Sequence, residues 1–151
     1  MNKAPDFTLK DTENTDVRLS DLRANKNIVL LFFPLAFSGV CTKELCSTRD
    51  NMKIYESLDA EVIAISVDSF FTLKAFKDSN NLNFTLLSDF NKEVSRKFGV
   101  LNEDFFGMKG VSNRAAFVID KEGRIVYEEI LEDSGKLPQF DKVQSALTSM
   151  G

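Results

Sequence analysis

The segment IVLLFFPLAFSGVCTKELC, residues 28–46, places an apolar run directly before both cysteines of the chain. Ile28 to Phe33 is a continuous apolar run, which is typical of a strand that is buried on both faces. Pro34 ends that run. From Cys41 onward, apolar residues recur at helical spacing with charged residues between them. The segment therefore predicts a buried strand, a short loop and a helix that extends to about Leu58.

The rest of the chain continues this alternation of strands and helices. Ala4–Leu9 and Asp16–Leu19 predict an N-terminal β-hairpin, and the turn at residues 120–123 predicts a second hairpin near the C-terminus. EVIAISV, residues 61–67, predicts another buried strand, whereas residues 100–111 are expected to form a loop. The order indicates an α/β fold with a mixed central β-sheet flanked by helices, in a thioredoxin-like arrangement.

Composition limits the classes of function that this chain can have. Its 151 residues favour a single domain, residues 1–151, which is long enough to fold without disulfides. The net charge of −4 argues against nucleic acid as a partner, because phosphate binding needs a basic surface. The first residues, MNKAPDFTLKD, lack an apolar core of signal-peptide length, and the longest apolar run, around Ile28 to Phe37, is far shorter than a membrane helix, so we expect a cytoplasmic protein with no membrane partner.

The chain contains two cysteines and no histidine. The lack of histidine excludes Ser-His-Asp triads, Cys-His dyads and HExxH zinc sites. Two thiolates alone make a poor zinc site, which usually has four protein ligands, so we expect no bound metal. In a reducing compartment, paired cysteines are more often catalytic, redox-sensing or metal-binding than permanently bridged.

Cys41 is predicted to lie in the first turn of the helix. The free N–H groups of that turn and the helix dipole favour an anion, so they would stabilise a thiolate. The position is equally compatible with a small buried apolar side chain. Ser38 can cap the helix or bind a substrate through its hydroxyl, and Gly39 permits a close backbone approach or a positive φ.

Arg114 is the best candidate for a positive charge beside that thiolate. Arginine stays protonated and offers five donors in a planar fork, and Arg114 stands directly before a predicted strand. Most exposed arginines are only solvated charges, and the sequence alone leaves open whether Arg114 reaches Cys41.

These residues resemble the active-site pattern of the peroxiredoxin family, Pro-x-x-x-Thr/Ser-x-x-Cys. Pro34, Ser38 and Cys41 match the pattern position for position, and Arg114 matches the later arginine of the family. The segments APDFTL, VIAISVD and RAAFVID also look like that family, so the resemblance spans nearly the whole chain. Serine in place of the commoner threonine keeps the hydroxyl but loses a methyl group that restrains its rotamer.

The resemblance implies a thiol peroxidase in which Cys41 attacks the O–O bond of a peroxide and becomes a sulfenic acid. Arg114 and the backbone N–H of Cys41 would hold the peroxide oxygens, Ser38 would hydrogen-bond the peroxide, and Pro34 would shield the pocket from water. This chemistry needs a stabilised thiolate and fixed donors, but no metal or organic cofactor. Hydrogen peroxide and organic hydroperoxides are both candidate substrates.

Neighbouring residues are expected to support this site. Glu44 matches a glutamate that orients the active-site network in the family, although a solvated helix-face charge is also compatible with its position. Gly39 and Val40 belong to the loop that shapes the anion site. In the family, loops like the one that carries Phe37 shape the pocket and contribute to dimer contacts.

Phe105 and Phe106 could act in the same way as Phe37. A chain with fourteen phenylalanines nevertheless places most of them in its core, so we expect a core role for all three. A homodimer and a monomer are both expected states.

The second cysteine follows the first by five residues. PLAF resembles the alkyl hydroperoxide reductase E branch, whereas CTKELC resembles the bacterioferritin-comigratory, or Q-type, branch, whose resolving cysteine has this spacing. Five helical residues separate two Cα atoms by roughly 8–9 Å, and a disulfide needs about 7 Å or less. If Cys46 resolves the sulfenic acid of Cys41, the first helical turns must unwind. A thioredoxin- or glutaredoxin-like dithiol reductant would then restore both thiols.

Three alternatives stay open at this point. Cys46 can be a half-buried side chain without a role, which leaves a one-cysteine peroxidase that is resolved by an external thiol. A disulfide reductase of thioredoxin type usually carries Cys-x-x-Cys, which this spacing does not match. A redox-responsive binding protein, whose helix melts on oxidation and exposes apolar residues to a partner, is also compatible with the sequence.

Overall fold

The computed structural model describes residues 2–150, which form nine strands and six helices. The strands are β1 Thr8–Asp11, β2 Asp16–Arg18, β3 Asn27–Phe32, β4 Ala60–Ser66, β5 Thr85–Ser88, β6 Leu101–Asn102, β7 Val111–Ser112, β8 Arg114–Ile119 and β9 Ile125–Leu131. The helices are α1 Leu19–Leu22, α2 Gly39–Asp50, α3 Met52–Ser57, α4 Phe70–Asn80, α5 Glu93–Lys97 and α6 Phe140–Ser149. Within residues 2–150, no helix is long and apolar enough to cross a membrane.

Seven of the strands form one mixed sheet in the order β2-β1-β5-β4-β3-β8-β9. β3, β4 and β5 are parallel neighbours. The pairs β3–β8, β8–β9, β1–β5 and β1–β2 are antiparallel. The predicted α/β fold, with a mixed central sheet and an N-terminal hairpin, is therefore confirmed.

The central position of β3 explains its continuous apolar run. Val29 and Leu31 face a core to which α2, α3, α4 and α6 contribute. Ile28, Leu30 and Phe32 face a second core on the other side of the sheet, to which α1 and α5 contribute. All five side chains are completely buried. Truncation of one such side chain to alanine typically costs about 2–5 kcal/mol of folding free energy.

The helix predicted from Cys41 to about Leu58 is wrong in its boundaries. The observed helix begins at Gly39 and is interrupted at Asn51, where φ is −108° and ψ is 13°. The structure therefore has two separate helices, α2 and α3, in this segment. The Asn51 side chain donates to the Ser47 carbonyl oxygen at 2.9 Å. Asparagine readily makes such local bonds and therefore interrupts helices.

Two further boundaries differ from the prediction. The first strand begins at Thr8 rather than Ala4. The segment expected to be a loop, residues 100–111, contributes β6 and the first residue of β7, which pair antiparallel with each other. Both are only two residues long, too short for a period in the sequence to reveal them.

Phe37 and Phe106 contradict the expectation of a core role. Their exposed fractions are 53% and 85%. Both lie in turns with a left-handed backbone, with φ of 68° for Phe37 and 53° for Phe106. This conformation is uncommon for residues other than glycine. Phe105 is half-buried, and its ring packs edge-to-face on that of Phe106 with 4.7 Å between the centroids.

Candidate active site

Three elements bring the predicted site residues together at one edge of the sheet. β3 ends at Phe32, and the chain then crosses to α2, which carries Cys41 in its first turn. β8 runs antiparallel to β3, and Phe32 pairs with Ala115. This register places Arg114, the first residue of β8, beside the end of β3 and the start of α2.

The Cys41 thiol is buried against the Arg114 guanidinium. Arg114 Nη2 lies 3.4 Å from Cys41 Sγ, and the Arg114 side chain is only 1% exposed. Arg114 is therefore not a solvated strand-end charge. The first hydrogen bond of α2 runs from the Thr42 N–H to the Ser38 carbonyl oxygen at 2.9 Å. The Cys41 N–H thus lies ahead of the first hydrogen bond of α2, so the guanidinium and the positive end of the helix both face the Cys41 sulfur.

Glu44 fixes the orientation of Arg114 from the next turn of α2. Glu44 Oε1 accepts a hydrogen bond from Arg114 Nη1 at 2.5 Å, and the Glu44 side chain is completely buried. Arg114 Nη2 also donates to the carbonyl oxygen of Ser134 at 3.0 Å. Because the guanidinium donors form a rigid planar fork, these contacts hold it in one orientation. Glu44 is a buried partner of Arg114 and not a solvated charge on the helix face.

Burial raises the pKa of Glu44 to about 7, and the neighbouring Arg114 guanidinium opposes this shift without cancelling it. Burial also disfavours the charge of Arg114. The charges of Glu44 and Cys41 outweigh that effect and raise the pKa of the guanidinium, so Arg114 stays protonated. Within residues 2–150, the buried atoms Arg114 Nε and Glu44 Oε2 have no hydrogen-bond partner. Arg114 therefore keeps a spare donor on the group that contacts the sulfur.

The loop between β3 and α2 carries the other predicted residues. Pro34 is buried directly after the strand, and Ser38 holds the N-cap position of α2 with an exposed side chain. Among the residues that the structure describes, no helix N–H reaches the Ser38 hydroxyl, so the predicted side-chain cap is not formed. The hydroxyl donates instead to the Leu35 carbonyl oxygen at 2.9 Å. Because the hydroxyl proton is used in this bond, Ser38 Oγ is left as an acceptor for a hydrogen bond from a substrate O–H.

The expectation that Gly39 and Val40 belong to the loop before the helix is wrong, because they are the first two residues of α2. The positive φ considered for Gly39 is not observed, because its backbone is helical. Among the described residues, a Cβ atom added at Gly39 would meet no atom within 4 Å other than those of its chain neighbours and its own helix backbone, so the space around the helix start is open.

Cys46 lies on the same continuous helix as Cys41, and both thiols are free. The helical separation of roughly 8–9 Å between their Cα atoms therefore applies to the folded chain. Cys46 Sγ is half-buried and lies 3.6 Å from Asn80 Oδ1. Arg49 Nη1 donates to the Asn80 carbonyl oxygen at 2.6 Å. We call these two contacts, from Cys46 and Arg49 to Asn80, the Asn80 latch, since they tie α2 to the end of α4.

Three residues that form hydrogen bonds to the site and its loop were not predicted from the sequence: Asn80, Ser134 and Asp68. Asp68 Oδ2 accepts a hydrogen bond from the Ala36 N–H, in the loop before α2, at 2.8 Å. Asp68 follows a buried parallel strand, and polar residues after the carboxyl ends of such strands tend to lie at functional edges. That signal could have found Asp68. Asn80 and Ser134 act from distant segments and carry no comparable signal.

A buried cysteine at a helix start, held against a fixed guanidinium on an α/β sheet, defines a thiol-based redox site. A model of the AhpC/TSA family matches residues 1–128. Alkyl hydroperoxide reductase E of Mycobacterium tuberculosis (strain ATCC 25618 / H37Rv) is 42% identical over 129 residues, which cover 84% of this chain and 82% of the relative. A chloroplastic 2-Cys peroxiredoxin of Spinacia oleracea is 39% identical over 139 residues, which cover 85% of this chain and 51% of the relative.

Solved structures agree with these sequence relatives. Peroxidoxin BcpB from Mycobacterium tuberculosis matches with a TM-score of 0.90 and 31% identity, covering 99% of this chain and 96% of that one. The reduced 2-Cys peroxiredoxin of Plasmodium vivax matches with a TM-score of 0.86 and 26% identity, covering 99% of this chain and 80% of that one.

The chain belongs to the AhpC/TSA family of peroxiredoxins and has the thioredoxin fold. It is a thiol-dependent peroxidase, and the predicted mixture of alkyl hydroperoxide reductase E and bacterioferritin-comigratory features is confirmed.

The buried Glu44 carboxyl makes folding stability depend on pH. Its folded pKa of about 7 exceeds the ordinary value of 4.5, so the folded state binds the extra proton between these values. The stabilisation from Glu44 is therefore fully present below pH 4.5 and is lost as the pH rises through about 7. We expect Glu44→Gln, which cannot titrate, to flatten this part of the profile of unfolding free energy against pH. Urea unfolding across this range measures both profiles, and an unchanged slope in Glu44→Gln would contradict the assignment.

Proposed function

We propose that Cys41 is the peroxidatic cysteine of this peroxidase and that Cys46 resolves it. The observation that carries the proposal is the contact of Arg114 Nη2 with Cys41 Sγ at the start of α2. Arg114 is held by Glu44 and stays charged, so it stabilises the thiolate and offers donors to a bound peroxide. The whole chain is proposed to act as one peroxiredoxin domain, which the single seven-stranded sheet supports.

The first step is an attack of the Cys41 thiolate on one oxygen of the peroxide. A sulfur–oxygen bond forms, the O–O bond breaks, and the leaving oxygen takes a proton to become water or an alcohol. Cys41 is oxidised to a sulfenic acid while the peroxide is reduced. Arg114 and the Cys41 backbone N–H stabilise the charge on the oxygens, and the Ser38 hydroxyl accepts from the peroxide O–H. Pro34, buried at the loop, excludes water from the sulfur.

The second step joins Cys41 and Cys46. The Cys46 thiol attacks the sulfenic sulfur, a disulfide forms and water leaves. Since roughly 8–9 Å separates the two Cα atoms in an intact helix, α2 must unwind over its first turns before the sulfurs meet. The Asn80 latch opposes this motion. A thioredoxin- or glutaredoxin-like dithiol then reduces the disulfide and becomes oxidised itself.

Two cysteine variants test this cycle. Cys41→Ser is expected to lose peroxide reduction entirely, because serine is far less nucleophilic than a thiolate. Cys46→Ser is expected to keep the first turnover and to lose recycling by a dithiol. Stopped-flow kinetics with hydrogen peroxide measures the first turnover, and mass spectrometry after one equivalent of peroxide maps the product. A persistent sulfenic acid at Cys41 with Cys46 still free would leave a one-cysteine peroxidase instead.

Release of the Asn80 latch is expected to accelerate disulfide formation. Arg49→Ala and Asn80→Ala each remove one of its contacts, and a lost hydrogen bond of about 1 kcal/mol corresponds to roughly a fivefold shift toward the unwound state. The first-order rate constant of Cys41–Cys46 bond formation should therefore rise by about that factor in each variant. Quenched-flow trapping of free thiols measures it. Ser79→Ala, an exposed neighbour on α4, is the matched control and should keep the wild-type rate.

The remaining partners follow from the same site. Hydrogen peroxide and small organic hydroperoxides are the proposed substrates, because the open helix start at Gly39 leaves room beside the Ser38 hydroxyl. A redox-responsive binding protein would show no catalytic consumption of peroxide in the presence of a dithiol. The cytoplasmic location, the lack of a nucleic-acid partner and the lack of a bound cofactor stay predictions.

We also propose that the enzyme forms a homodimer through an exposed aromatic face. Phe71 and Phe90 are 73% and 60% exposed. Together with Phe70 and Leu9 they line an apolar part of a groove of about 470 Å³ beside β1 and β5. Exposed aromatic side chains clustered in this way are typical of protein interfaces.

A charge placed on this face is expected to dissociate the dimer. Phe71→Glu would bury an unpaired carboxylate in the interface, so the variant should sediment as a monomer where the wild type sediments as a dimer. Ile130→Glu, on the edge strand β9 at the opposite end of the sheet, is the control and should leave the mass unchanged. A wild-type protein that is monomeric at every concentration in sedimentation equilibrium would contradict the dimer.

A further inference from the structure

Asp68 connects the end of β4 to the loop that carries the active-site hydroxyl. Its carboxylate atom Oδ2 accepts two hydrogen bonds, from the Ala36 N–H at 2.8 Å and from the Ser66 hydroxyl at 2.7 Å. Its own N–H donates to the Ser66 Oγ at 3.2 Å, and its carbonyl oxygen accepts from the Ser88 hydroxyl at 2.6 Å. The bonds to Ser66 therefore orient the Asp68 carboxylate toward the loop, whereas the Ser88 hydroxyl contacts only the Asp68 backbone.

The loop is held by the hydrogen bond from the Ala36 N–H to Asp68 together with two packing contacts, of Ala36 against the main core and of the Phe37 ring against that of Phe76, with 5.1 Å between the ring centroids. The Phe33 N–H still bonds to the Ile65 carbonyl oxygen of β4 at 3.0 Å, and Pro34 has no N–H to donate. Two residues beyond Ala36 comes Ser38, whose hydroxyl bonds back to the Leu35 carbonyl oxygen. Among the described residues, the Asp68 carboxylate thus accepts the hydrogen bond that ties the middle of the loop to the end of β4.

Phe37 adds a constraint to the same loop. Its φ of 68° lies in the left-handed region, which costs energy for a residue with a side chain. A left-handed residue between Ala36 and Ser38 persists only when both sides are held. The Ala36 N–H is held by Asp68, and the Ser38 carbonyl oxygen is held by the first hydrogen bond of α2.

We propose that Asp68 is a positioning residue of the peroxidase: by binding the Ala36 N–H it sets the position of the Ser38 hydroxyl relative to the Cys41 sulfur. It contacts neither substrate nor sulfur and acts through the loop. This inference rests on the proposed roles of Cys41 and Ser38, but it is independent of whether Cys46 resolves the sulfenic acid.

Asp68→Ala and Asp68→Asn separate positioning from general stability. Both are made in Cys46→Ser, so that Cys41 is the only thiol. Asp68→Ala removes the acceptor of the Ala36 N–H, whereas Asp68→Asn keeps a carbonyl oxygen at the same distance along the side chain. Ser88→Ala is the matched control, because it removes a bond to the Asp68 backbone and leaves the carboxylate in place.

Two reactions of Cys41 are then compared in each variant. One is the second-order rate constant with hydrogen peroxide, which depends on the alignment of donors around the sulfur. The other is the rate constant of alkylation by iodoacetamide, which requires a thiolate but no bound peroxide geometry. Thermal unfolding of each variant records the change in stability.

Asp68→Ala is expected to lower the peroxide rate constant by about 100-fold, the order of effect of a misplaced catalytic group. The alkylation rate constant should change by less than about threefold, because Arg114 and the helix start still stabilise the thiolate. Asp68→Asn should retain the peroxide rate constant within about fivefold, and Ser88→Ala within about twofold even where its stability is lowered.

An unchanged peroxide rate constant in Asp68→Ala overturns the proposal. Equal losses of both reactions, or the same loss in Ser88→Ala, also overturn it, because either result indicates a general structural role. If Asp68→Ala does not fold, Asp68→Ser replaces it, because its shorter side chain cannot reach the Ala36 N–H. Asp68→Ser should show the same loss of the peroxide rate constant and the same small change in the alkylation rate constant. A Cys46→Ser parent without any peroxide reduction would instead refute the proposed role of Cys41.

Discussion

The buried guanidinium of Arg114 is the interaction on which the rest of the site depends. It bonds to Glu44 on α2, to the Ser134 carbonyl oxygen after β9, and it contacts the Cys41 sulfur. A buried charge that loses its partner typically costs about 3–5 kcal/mol, so the positions of these segments are coupled. The protein therefore holds the Cys41 thiol through a polar group in its interior, where salt screens little.

The fold could be predicted from the sequence because its centre leaves a strong pattern. A strand buried on both faces needs apolar side chains at every position, and β3 has them from Ile28 to Phe32. The end of α2 could not be predicted in the same way, since it depends on one bond from the Asn51 side chain to the Ser47 carbonyl oxygen. The exposure of Phe106 depends on a left-handed turn that composition does not reveal.

The residues of the candidate site likewise fall into those that could be predicted from the sequence and those that could not. Pro34, Ser38, Cys41 and Arg114 could be predicted because they match a local pattern and its later arginine. The burial of Glu44 could not, because a charged residue on a helix face is usually solvated and only the position of Arg114 makes this one different. Contacts between distant segments, such as Asn80 with Cys46, also leave no period or motif. The direction of the Ser38 hydroxyl is set by a carbonyl oxygen three residues earlier and can be seen only in the folded structure.

In the proposed cycle, the break at Asn51 would confine the unwinding of α2 to a small cooperative unit. Met52 and Tyr55 of α3 are 7% and 1% exposed and belong to the main core. Because α3 begins as a separate helix at Met52, the backbone hydrogen bonds of α2 do not continue into it. Unwinding of α2 therefore does not extend along the backbone into that core. In the proposed cycle, the peroxidase would therefore remain folded while α2 unwinds, and the apolar surface newly exposed to water would be that of α2 alone.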